Sequence, residues 1–383
     1  MPITKYALPE IIFGPATFAR AAICARQLGA SRVLLVSDPG IESAGWVQRI
    51  MDLLAADGLQ WTYFNECVPN PRSFSVEHGA RRYREEHADV IIALGGGSVI
   101  DTAKGIAAVV GNGGDIRDYE GANKMLRPLP PLLCLPTTAG SGSDISQFCI
   151  ITDMARQLKM SIISRTLTPN VSIIDPQLTH TKSRQLIVAS AIDALAHAVE
   201  SYLSVLASPF TEVLALEAIS RIVQHLPPAV QERSPAALEQ LCIASTQAGM
   251  SFSNAGLGLG HSLAHALGGV YDVIHGAVHP VVLPLVMEYN MPNCTEKLAA
   301  IGRRILGRDF SCAEATAREG IAFLRNFFTS LGAGTRLSGI VPAHVLPAAW
   351  PAVAAAALQD ACTLTNPRTP TQEDLLRICR EAW

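Results

Sequence analysis

The sequence lacks any concentration of positive charge. Its 383 residues include 30 Lys and Arg against 33 Asp and Glu, which gives a formal net charge of −3. Nucleic acids and anionic membrane surfaces are bound through clusters of Lys and Arg, and the sequence contains no such cluster. We therefore expect no nucleic-acid partner and no membrane partner.

Closely spaced cysteines are also missing. The nine cysteines occur singly, with no Cys-x-x-Cys pair. Disulfide frameworks of secreted domains and thiolate zinc sites both depend on cysteines at short, regular spacings, so neither is expected. The scattered, odd-numbered set is typical of a protein kept in the reducing cytoplasm.

Long apolar runs are absent as well. No uncharged apolar stretch reaches the roughly 18 residues that a membrane-spanning helix requires. The first residues, MPITKYALPEIIFG, do not combine a basic segment with a following apolar one, so no signal peptide is predicted. These absences together predict a globular, cytoplasmic protein.

The first half of the chain alternates two patterns. Short apolar, β-branched runs predict buried strands at 33–37, 61–64, 90–94, 132–136 and 171–175. Helical spacing of apolar residues occurs between them, at 42–57, 74–87 and 100–110. Strands that alternate with helices in this way predict a mostly parallel sheet with helices on both faces. The run IIFG (11–14) predicts a further strand, at an edge of this sheet or on a partner subunit.

The second half has a different character. From about residue 182 the sequence is rich in Ala and Leu at helical spacing, and no run predicts a strand. We therefore predict two domains, an α/β domain over residues 1–178 and an all-helical domain over residues 179–383. The composition is 49% hydrophobic and 16% charged, which is enough to build a large core in each.

A glycine-rich turn follows one of the predicted strands. In VIIALGGGSVIDTAKG, three glycines come directly before a helix, where free backbone N–H groups favour a phosphate or pyrophosphate. The motif is neither the G-x-G-x-x-G fingerprint nor a Walker A loop. An ordinary strand–helix turn, with Ser98 as N-cap and Asp101 completing a capping box, explains the local sequence equally well.

Two further strand ends carry polar residues. The loop LPTTAGSGSD (135–144) concentrates hydroxyls and glycines. Two such loops at strand ends favour a ligand crevice at the carboxyl edge of the sheet. Asp38 ends another strand, where its carboxylate can bond a ribose hydroxyl and repel a 2′-phosphate, which favours NAD over NADP. An Asp in a turn is also common without any ligand.

The second half contains acidic and imidazole groups at helical spacing. Asp193 and His197 are four residues apart, so both project from one helix face. His261 and His265 repeat this spacing, and His275 follows after a turn. A carboxylate with several imidazoles suits Fe²⁺, Zn²⁺ or Mn²⁺. Histidines in apolar helices are often ordinary core residues, but a buried Asp on an Ala-rich face needs a partner.

Four motifs in their order along the chain carry a resemblance. They are GGGSVIDTAKG, PTTAGSGSD, DALAHAVESY and GLGLGHSLAHALGG followed by HG, and FGP and VPNP accompany them. Over residues 10 to 290 or so, the sequence resembles the iron-containing (group III) alcohol dehydrogenases. The resemblance implies an NAD-binding α/β domain, a helical metal-binding catalytic domain and an active site in a cleft between them.

The resemblance also implies roles for individual residues. The metal ligands would be Asp193, His197, His261 and His275, holding Fe²⁺, although the donor set also admits Zn²⁺. His265 would relay a proton near the metal and the nicotinamide. Phe252 would line the substrate pocket. His279, which has no counterpart in the family pattern, would either support the metal ligands from behind or stand in the substrate pocket and tune the choice of substrate. The implied cofactor-binding residues are Asp38, Asn70, Gly96, Gly97, Ser98, Asp101, Thr137, Thr138, Ser141, Phe148, Lys159 and Leu178.

Some positions depart from the usual pattern of the family. Val99 replaces a frequent Pro, and Ser141 and Asp144 replace the common Thr and Glu, which are mild changes. Gly260 stands where a bulkier residue is usual, and His279-Pro280 stands where Asn-Ala is common. The last two departures lie beside the predicted metal ligands, so we expect substrate shape or metal preference to differ from other members.

These features predict an NAD-linked, metal-dependent alcohol dehydrogenase. It would interconvert a small primary or secondary alcohol and its aldehyde or ketone, as a homo-oligomer of two or more subunits. A sibling polyol or hydroxyacid dehydrogenase is one alternative. A catalytically silent NAD-binding regulatory protein that kept the fold is another. A metallohydrolase is disfavoured because it would leave the dinucleotide loops without a purpose.

Overall fold

The computed structural model describes residues 6–341 and 349–383 of the chain. The chain divides into two compact units. The N-terminal unit is Ala7–Lys182, and the C-terminal unit is Ser183–Trp383 with Tyr6. The first unit contains strands and helices, and every regular element described in the second is a helix. This agrees with the predicted fold class, an α/β part followed by an all-helical part.

Nine strands form two sheets in the N-terminal unit. The strands are β1 (Glu10–Phe13), β2 (Arg32–Val36), β3 (Gln60–Phe64), β4 (Val90–Gly95), β5 (Gly121–Ala122), β6 (Leu132–Pro136), β7 (Phe148–Asp153), β8 (Leu158–Ile163) and β9 (Val171–Ile174). The larger sheet has the order β1-β9-β6-β4-β2-β3, and all its pairs are parallel. The five strands predicted from apolar runs are confirmed, and β1 lies at an edge.

Helices cover both faces of this sheet. They are α1 (Ala21–Gln27), α2 (Pro39–Ser43), α3 (Trp46–Ala56), α4 (Ser73–Glu85) and α5 (Gly97–Asn112). Successive side chains of a strand point to opposite faces. Leu34 of β2 therefore packs into a core with α4 and α5, and Leu35 packs into a second core with α1 and α3. Burial on both faces explains why these strands are apolar throughout.

The order of the strands changes direction beside β2. The chain leaves β2 for β3 on one side and then crosses back to place β4 on the other side. In open parallel sheets, ligands bind outside the carboxyl ends of the strands at such a switch point. Here the two strand ends in question are followed by Asp38 and by the glycine turn that begins at Gly95.

The smaller sheet was not predicted from the sequence. It has the order β5-β8-β7, with β7 and β8 antiparallel. Helix α5 is tied to it by the fully buried Lys104, whose Nζ donates to the carbonyl oxygens of Ser146 (2.7 Å) and Phe148 (2.8 Å). These bonds supply the partners that a buried ammonium group needs.

The C-terminal unit contains eight described α-helices. They are α6 (Arg184–Leu203), α7 (Pro209–Gln231), α8 (Pro235–Ala255), α9 (Leu259–Tyr271), α10 (His275–Leu306), α11 (Ala313–Ser330), α12 (Trp350–Gln359) and α13 (Gln372–Ala382). Helix α6 is long and apolar enough to cross a membrane, but 83% of its most apolar window is buried inside the fold. That burial is what the central helix of a globular unit requires.

Candidate functional site

Three helices of the C-terminal unit each present two polar side chains one turn apart. The pairs are Asp193 and His197 on α6, His261 and His265 on α9, and His275 and His279 on α10. Residues four apart in a helix project from the same face. The fold brings these three faces together, so the spacing seen in the sequence becomes one cluster.

Nitrogen atoms of three histidines converge on one carboxylate oxygen. Asp193 Oδ1 lies 3.2 Å from His279 Nε2, 3.5 Å from His275 Nε2 and 3.7 Å from His261 Nε2. The Nε2 atoms of His275 and His279 are 3.4 Å apart. These four donor atoms all lie within 4.8 Å of one another.

The spacing of these atoms matches the coordination sphere of a single cation. Ligand atoms about 2.1 Å from one ion lie about 3.4 Å apart in a tetrahedron and about 3.0 Å apart at a right angle. The measured separations of 3.2–3.7 Å are close to these values. One carboxylate with imidazoles suits Fe²⁺ or Zn²⁺. The residues therefore fit a divalent ion.

The electrostatics of the cluster favour an ionised carboxylate. Burial alone would raise the pKa of Asp193, but the four surrounding imidazoles, those of His197, His275, His261 and His279, lower it well below its usual range. A buried carboxylate that stays ionised needs compensating positive charge. A divalent ion held by Asp193 and neutral imidazoles would supply that charge.

His197, which the resemblance implies as a ligand, lies beside this group of four atoms. Its ring stacks on His261 at a centroid distance of 4.3 Å and on Phe252 at 4.4 Å. Phe252 is 3% exposed. His197 is thus held between an aromatic ring and a histidine of the cluster.

His265 is anchored by a residue that the sequence analysis did not single out. Its Nδ1 donates to Asp360 Oδ2 at 2.8 Å, and its ring stacks on that of His275 at 5.2 Å. Burial would raise the pKa of Asp360, but the charge and hydrogen bond of His265 lower it to about 2. An ionised Asp360 therefore fixes the orientation of the His265 ring and leaves its Nε2 for other chemistry.

Glu200 is a second residue that the sequence analysis missed. Glu200 belongs to α6 and is 3% exposed, and its carboxylate lies at the N-terminus of α9. Its carboxylate accepts hydrogen bonds from the backbone N–H groups of Gly258 (3.1 Å), Gly260 (2.5 Å) and His261 (3.2 Å). It also accepts a bond from His261 Nδ1 at 2.6 Å. Negative charge is stabilised at a helix N-terminus, where N–H groups have no partner within the helix.

The bond from His261 Nδ1 to Glu200 has a consequence for metal binding. A proton held on Nδ1 leaves the lone pair of Nε2 free to face the cluster. Histidine ligands in metal sites are commonly fixed by a carboxylate in this way. The sequence carried a signal for this residue, because a Glu on the Ala-rich face of α6 needs a buried partner as much as Asp193 does.

Replacing Glu200 with Gln is expected to weaken binding of a divalent ion by about 10- to 100-fold, the usual effect of losing a group that orients a ligand. Gln keeps the size of the side chain but removes its charge. Competition with a chromophoric chelator measures the affinity. Glu212→Gln is the control, because Glu212 forms a surface ion pair with Lys297 at 2.9 Å. Equal affinity of the wild type and Glu200→Gln would refute this role.

Gly260, one of the departures from the family pattern, is explained by the same carboxylate. A Cβ atom at position 260 would lie 2.6 Å from Glu200 Oε1. The absence of a side chain allows Glu200 to approach the backbone N–H of Gly260. We expect Gly260→Ala to lower the free energy of unfolding by about 1–3 kcal/mol, as overpacking of a core does.

Chemical denaturation of Gly260→Ala measures this loss, with Gly339→Ala as the control. A Cβ at position 339 meets no atom within 4 Å, so that variant should unfold like the wild type. If both variants unfold alike, the close approach of Glu200 to Gly260 does not limit this position.

The glycine turn of the N-terminal unit has the form expected of an anion-binding site. Helix α5 has Gly96 as its N-cap, and this residue provides no side-chain cap. The alternative interpretation, with Ser98 as N-cap and Asp101 completing a capping box, is therefore wrong. Asp101 Oδ2 instead accepts the backbone N–H of Ile150 at 3.1 Å.

The second polar loop lies against this turn. A Cβ at Gly97 would be 2.7 Å from Ser141 Oγ, and a Cβ at Gly96 would be 3.4 Å from Thr138 Oγ1. The backbone N–H of Thr137 donates to the carbonyl oxygen of Gly95 at 3.0 Å. The two loops that the sequence analysis singled out are thus adjacent at the carboxyl ends of β4 and β6.

The remaining residues predicted to bind the cofactor lie in several parts of the N-terminal unit. Asp38 follows β2 and caps α2, accepting the N–H groups of Gly40 (2.8 Å) and Ile41 (3.0 Å). Lys159 Nζ donates to Asn70 Oδ1 at 2.6 Å. Phe148 lies at the start of β7, and the fully buried Leu178 lies in a 3-10 helix after β9.

Both halves of the chain match sequence profiles of one family. Residues 9–176 match the profile described as "Iron-containing alcohol dehydrogenase", and residues 187–383 match "Fe-containing alcohol dehydrogenase family, C-terminal". The chain belongs to the iron-containing alcohol dehydrogenase family. The resemblance inferred from the sequence motifs is therefore confirmed.

Relatives within the iron-containing alcohol dehydrogenases match over nearly their whole length. The NAD-dependent methanol dehydrogenase of Bacillus methanolicus is 35% identical over 377 residues, covering 98% of each chain. The 1,3-propanediol dehydrogenase of Klebsiella pneumoniae is 36% identical over 390 residues, covering 99% of this chain and 98% of the relative. Among solved structures, an alcohol dehydrogenase from Oenococcus oeni has a TM-score of 0.94 at 32% identity, covering 99% of this chain and 100% of the other.

Proposed function

We propose that this protein is a metal-dependent, NAD-linked alcohol dehydrogenase that interconverts a small alcohol and its aldehyde or ketone. The observation that carries the proposal is the convergence of Asp193 Oδ1 with the Nε2 atoms of three histidines in the C-terminal unit. Membership of the iron-containing alcohol dehydrogenase family supports Fe²⁺ as the ion and NAD as the cofactor.

The two parts of the chain would have different functions, cofactor binding and metal binding. Residues 1–178 would bind NAD and residues 179–383 would hold the ion. Asp193, His197, His261 and His275 are the proposed ligands. The bound ion would supply Lewis acidity, which stabilises negative charge on the substrate oxygen. The chain's own residues hold Asp193 ionised and keep the proton of His261 on Nδ1, where it is donated in a hydrogen bond to Glu200.

The proposed NAD site is supported by the switch point of the parallel sheet. The N-terminus of α5 begins at a glycine N-cap, which has no side chain to cap the first backbone N–H groups, and this suits the pyrophosphate. Gly96, Gly97 and Ser98 would contact it, with Thr138 and Ser141 of the adjacent loop. The other proposed cofactor-binding residues are Asp38, Asn70, Asp101, Thr137, Phe148, Lys159 and Leu178. NAD itself supplies the hydride chemistry.

His265 is the proposed proton relay. Its Nδ1–H is held by Asp360, so Nε2 is the atom that exchanges a proton. The stacked ring of His275 keeps this imidazole beside the ligand cluster. Asp360 fixes the ring and stays ionised, so it acts as a positioning residue.

The proposed substrate is a small primary or secondary alcohol, with Phe252 and His279 as proposed pocket residues. The names of the relatives from Bacillus methanolicus and Klebsiella pneumoniae, a methanol and a 1,3-propanediol dehydrogenase, support small alcohols and diols. A sibling polyol dehydrogenase is therefore the second candidate function, and a comparison of diols with simple alcohols distinguishes the two.

Direct assay tests the proposed function. Purified protein is loaded without oxygen with Fe²⁺, or with Zn²⁺ in parallel, and NADH absorbance is followed. The panel contains methanol, ethanol, 1-butanol, 2-propanol and 1,3-propanediol with NAD, and the matching carbonyl compounds with NADH. Metal-dependent turnover is expected. Tight NADH binding without turnover on any substrate would instead favour a catalytically silent regulatory protein.

The choice between NAD and NADP gives a prediction for Asp38. Asp38→Asn keeps an N-cap for α2 but removes the charge that repels a 2′-phosphate. We expect the ratio of NADPH to NADH affinity to rise by about 10- to 100-fold, since a hydrogen bond to a charged group contributes about 1.5–3 kcal/mol. Fluorescence titration with both cofactors measures the ratio.

Asp115→Asn is the control for Asp38→Asn, because Asp115 also caps a short helix. This control should leave the ratio of the two cofactor affinities unchanged. If Asp38→Asn likewise leaves it unchanged, Asp38 does not contact the ribose.

We also propose a cytoplasmic location and a homo-oligomer of two or more subunits. All nine cysteines are free, and eight of them are buried, as expected in a reducing compartment. Strand β1 pairs only with β9 within the described chain, so its other edge remains open for a partner subunit. Light scattering of the purified protein determines the number of subunits.

A further inference from the structure

We propose that His279 is itself a ligand of the divalent ion, together with Asp193, His261 and His275. This inference rests on the proposed function, because it concerns the same metal centre. It changes the role given to His279, which would then bind the ion instead of lining the substrate pocket. It also adds a donor at a position where Asn is common in the family.

The distances support His279 more strongly than the other histidines. Its Nε2 is the nitrogen closest to Asp193 Oδ1, at 3.2 Å, compared with 3.5 Å for His275 and 3.7 Å for His261. Its ring centroid lies 4.4 Å from that of His261. His279 therefore occupies the interior of the cluster.

The pairing of two nitrogens points to a cation between them. The Nε2 atoms of His275 and His279 face each other at 3.4 Å. Two imidazole lone pairs at this distance repel each other unless a proton or a cation lies near both. An ion about 2.1 Å from each nitrogen satisfies both lone pairs, and the same ion is within reach of Asp193 Oδ1.

The surroundings of His279 offer it little other polar contact. The side chain is 0% exposed, and among the described residues its Nδ1 has no hydrogen-bond partner. Burying an imidazole without such partners is unfavourable. Binding to an ion through Nε2 compensates for that burial.

The helix gives His279 the geometry of a ligand pair. His275 and His279 are four residues apart at the start of α10, so both rings project from one face. Two histidines at this spacing on a helix are a known way to hold one divalent ion. The stacking of His197 between His261 and Phe252 is compatible with His197 as a further donor or as a support for His261.

Metal affinity and Co²⁺ absorption test the assignment without using turnover. Metal-free wild type and His279→Asn are titrated with Co²⁺, and with Zn²⁺ in competition with a chromophoric chelator. We expect His279→Asn to bind Zn²⁺ more than about 100-fold more weakly, because 10- to 100-fold is the effect of losing only an orienting group. We also expect its Co²⁺ visible spectrum to change in position and intensity.

Two controls accompany this titration. His225→Asn replaces a half-buried histidine of α7 outside the cluster and should bind both metals like the wild type. Thermal unfolding of the metal-free proteins checks that His279→Asn is folded. If it is not, His279→Gln, which is closer in size, takes its place in the same titration.

The outcomes separate the inference from the proposed function. If the wild type binds the metals tightly and His279→Asn does so with an unchanged Co²⁺ spectrum, the inference is overturned and the proposed function stands. A loss of affinity below 100-fold with an unchanged spectrum also overturns it, since His279 would then only orient a ligand. If the wild type binds no divalent ion, both the inference and the proposed function fail.

Discussion

Replacing Asp193 with Asn is expected to lower kcat/KM for alcohol oxidation by about 10³- to 10⁵-fold. The carboxylate is the common neighbour of three histidine nitrogens, and its charge is the one that a cation in the cluster neutralises. Without that charge the cluster should release the ion. Loss of a Lewis acid removes several kcal/mol of transition-state stabilisation, and each 1.36 kcal/mol corresponds to a tenfold rate.

Initial rates with NAD and the best alcohol of the panel measure this effect, alongside metal content after gel filtration. Asp272→Asn is the matched control. Asp272 lies in the turn between α9 and α10 with a φ of 54°, a conformation that Asn also adopts readily. The control should keep its metal and its rate. Full activity in metal-depleted Asp193→Asn would remove the metal centre from the catalytic mechanism.

Replacing His265 with Ala is expected to lower kcat by about 10²- to 10⁴-fold, the contribution of a positioned acid–base group. The ion and NAD should both remain bound, because His265 bonds to Asp360 and not to Asp193. Imidazole added to the solution should restore part of the activity by entering the space that the side chain vacated. That rescue distinguishes a proton relay from a packing role.

Asp360→Asn and His225→Ala complete this experiment. Asp360→Asn keeps the shape of the partner but removes its charge, so kcat should fall by less than in His265→Ala while the KM for the alcohol stays near the wild-type value. His225→Ala, which lies outside the cluster, should be fully active without imidazole. A fully active His265→Ala would assign proton transfer to another group.

The framework of the N-terminal unit could be predicted because its signals are local. Strands such as β2 and β4 are buried on both faces and read as continuous apolar runs. The pair β7 and β8 was missed because its pairing is decided by contacts elsewhere in the fold. Asp101 and Lys104 of α5 hold β7 and the residues just before it, through hydrogen bonds to residues more than 40 positions away.

Sequence spacing predicted the residue pairs of the proposed metal cluster but not their contacts with residues of other helices. A separation of four residues identified each pair on its helix, and an Asp on an Ala-rich helix indicated a buried partner. Spacing could not show that Glu200 and Asp360 contact His261 and His265, across 61 and 95 residues of sequence. Spacing also identified no ligand role for His279, because nothing local shows which way the start of α10 faces.

The three helices of the cluster have a mechanical consequence for the chain. An ion held by side chains from α6, α9 and α10 would act as a cross-link between segments that are far apart in sequence. Such a link closes a long loop and removes conformational freedom from the unfolded chain. The donor residues lie in the middle of α6 and near the N-termini of α9 and α10. Shifting one helix by a single residue would turn its donor side chains away from the cluster. A bound ion would thus favour one register for α6, α9 and α10, and metal loading would contribute to the stability of the helical unit.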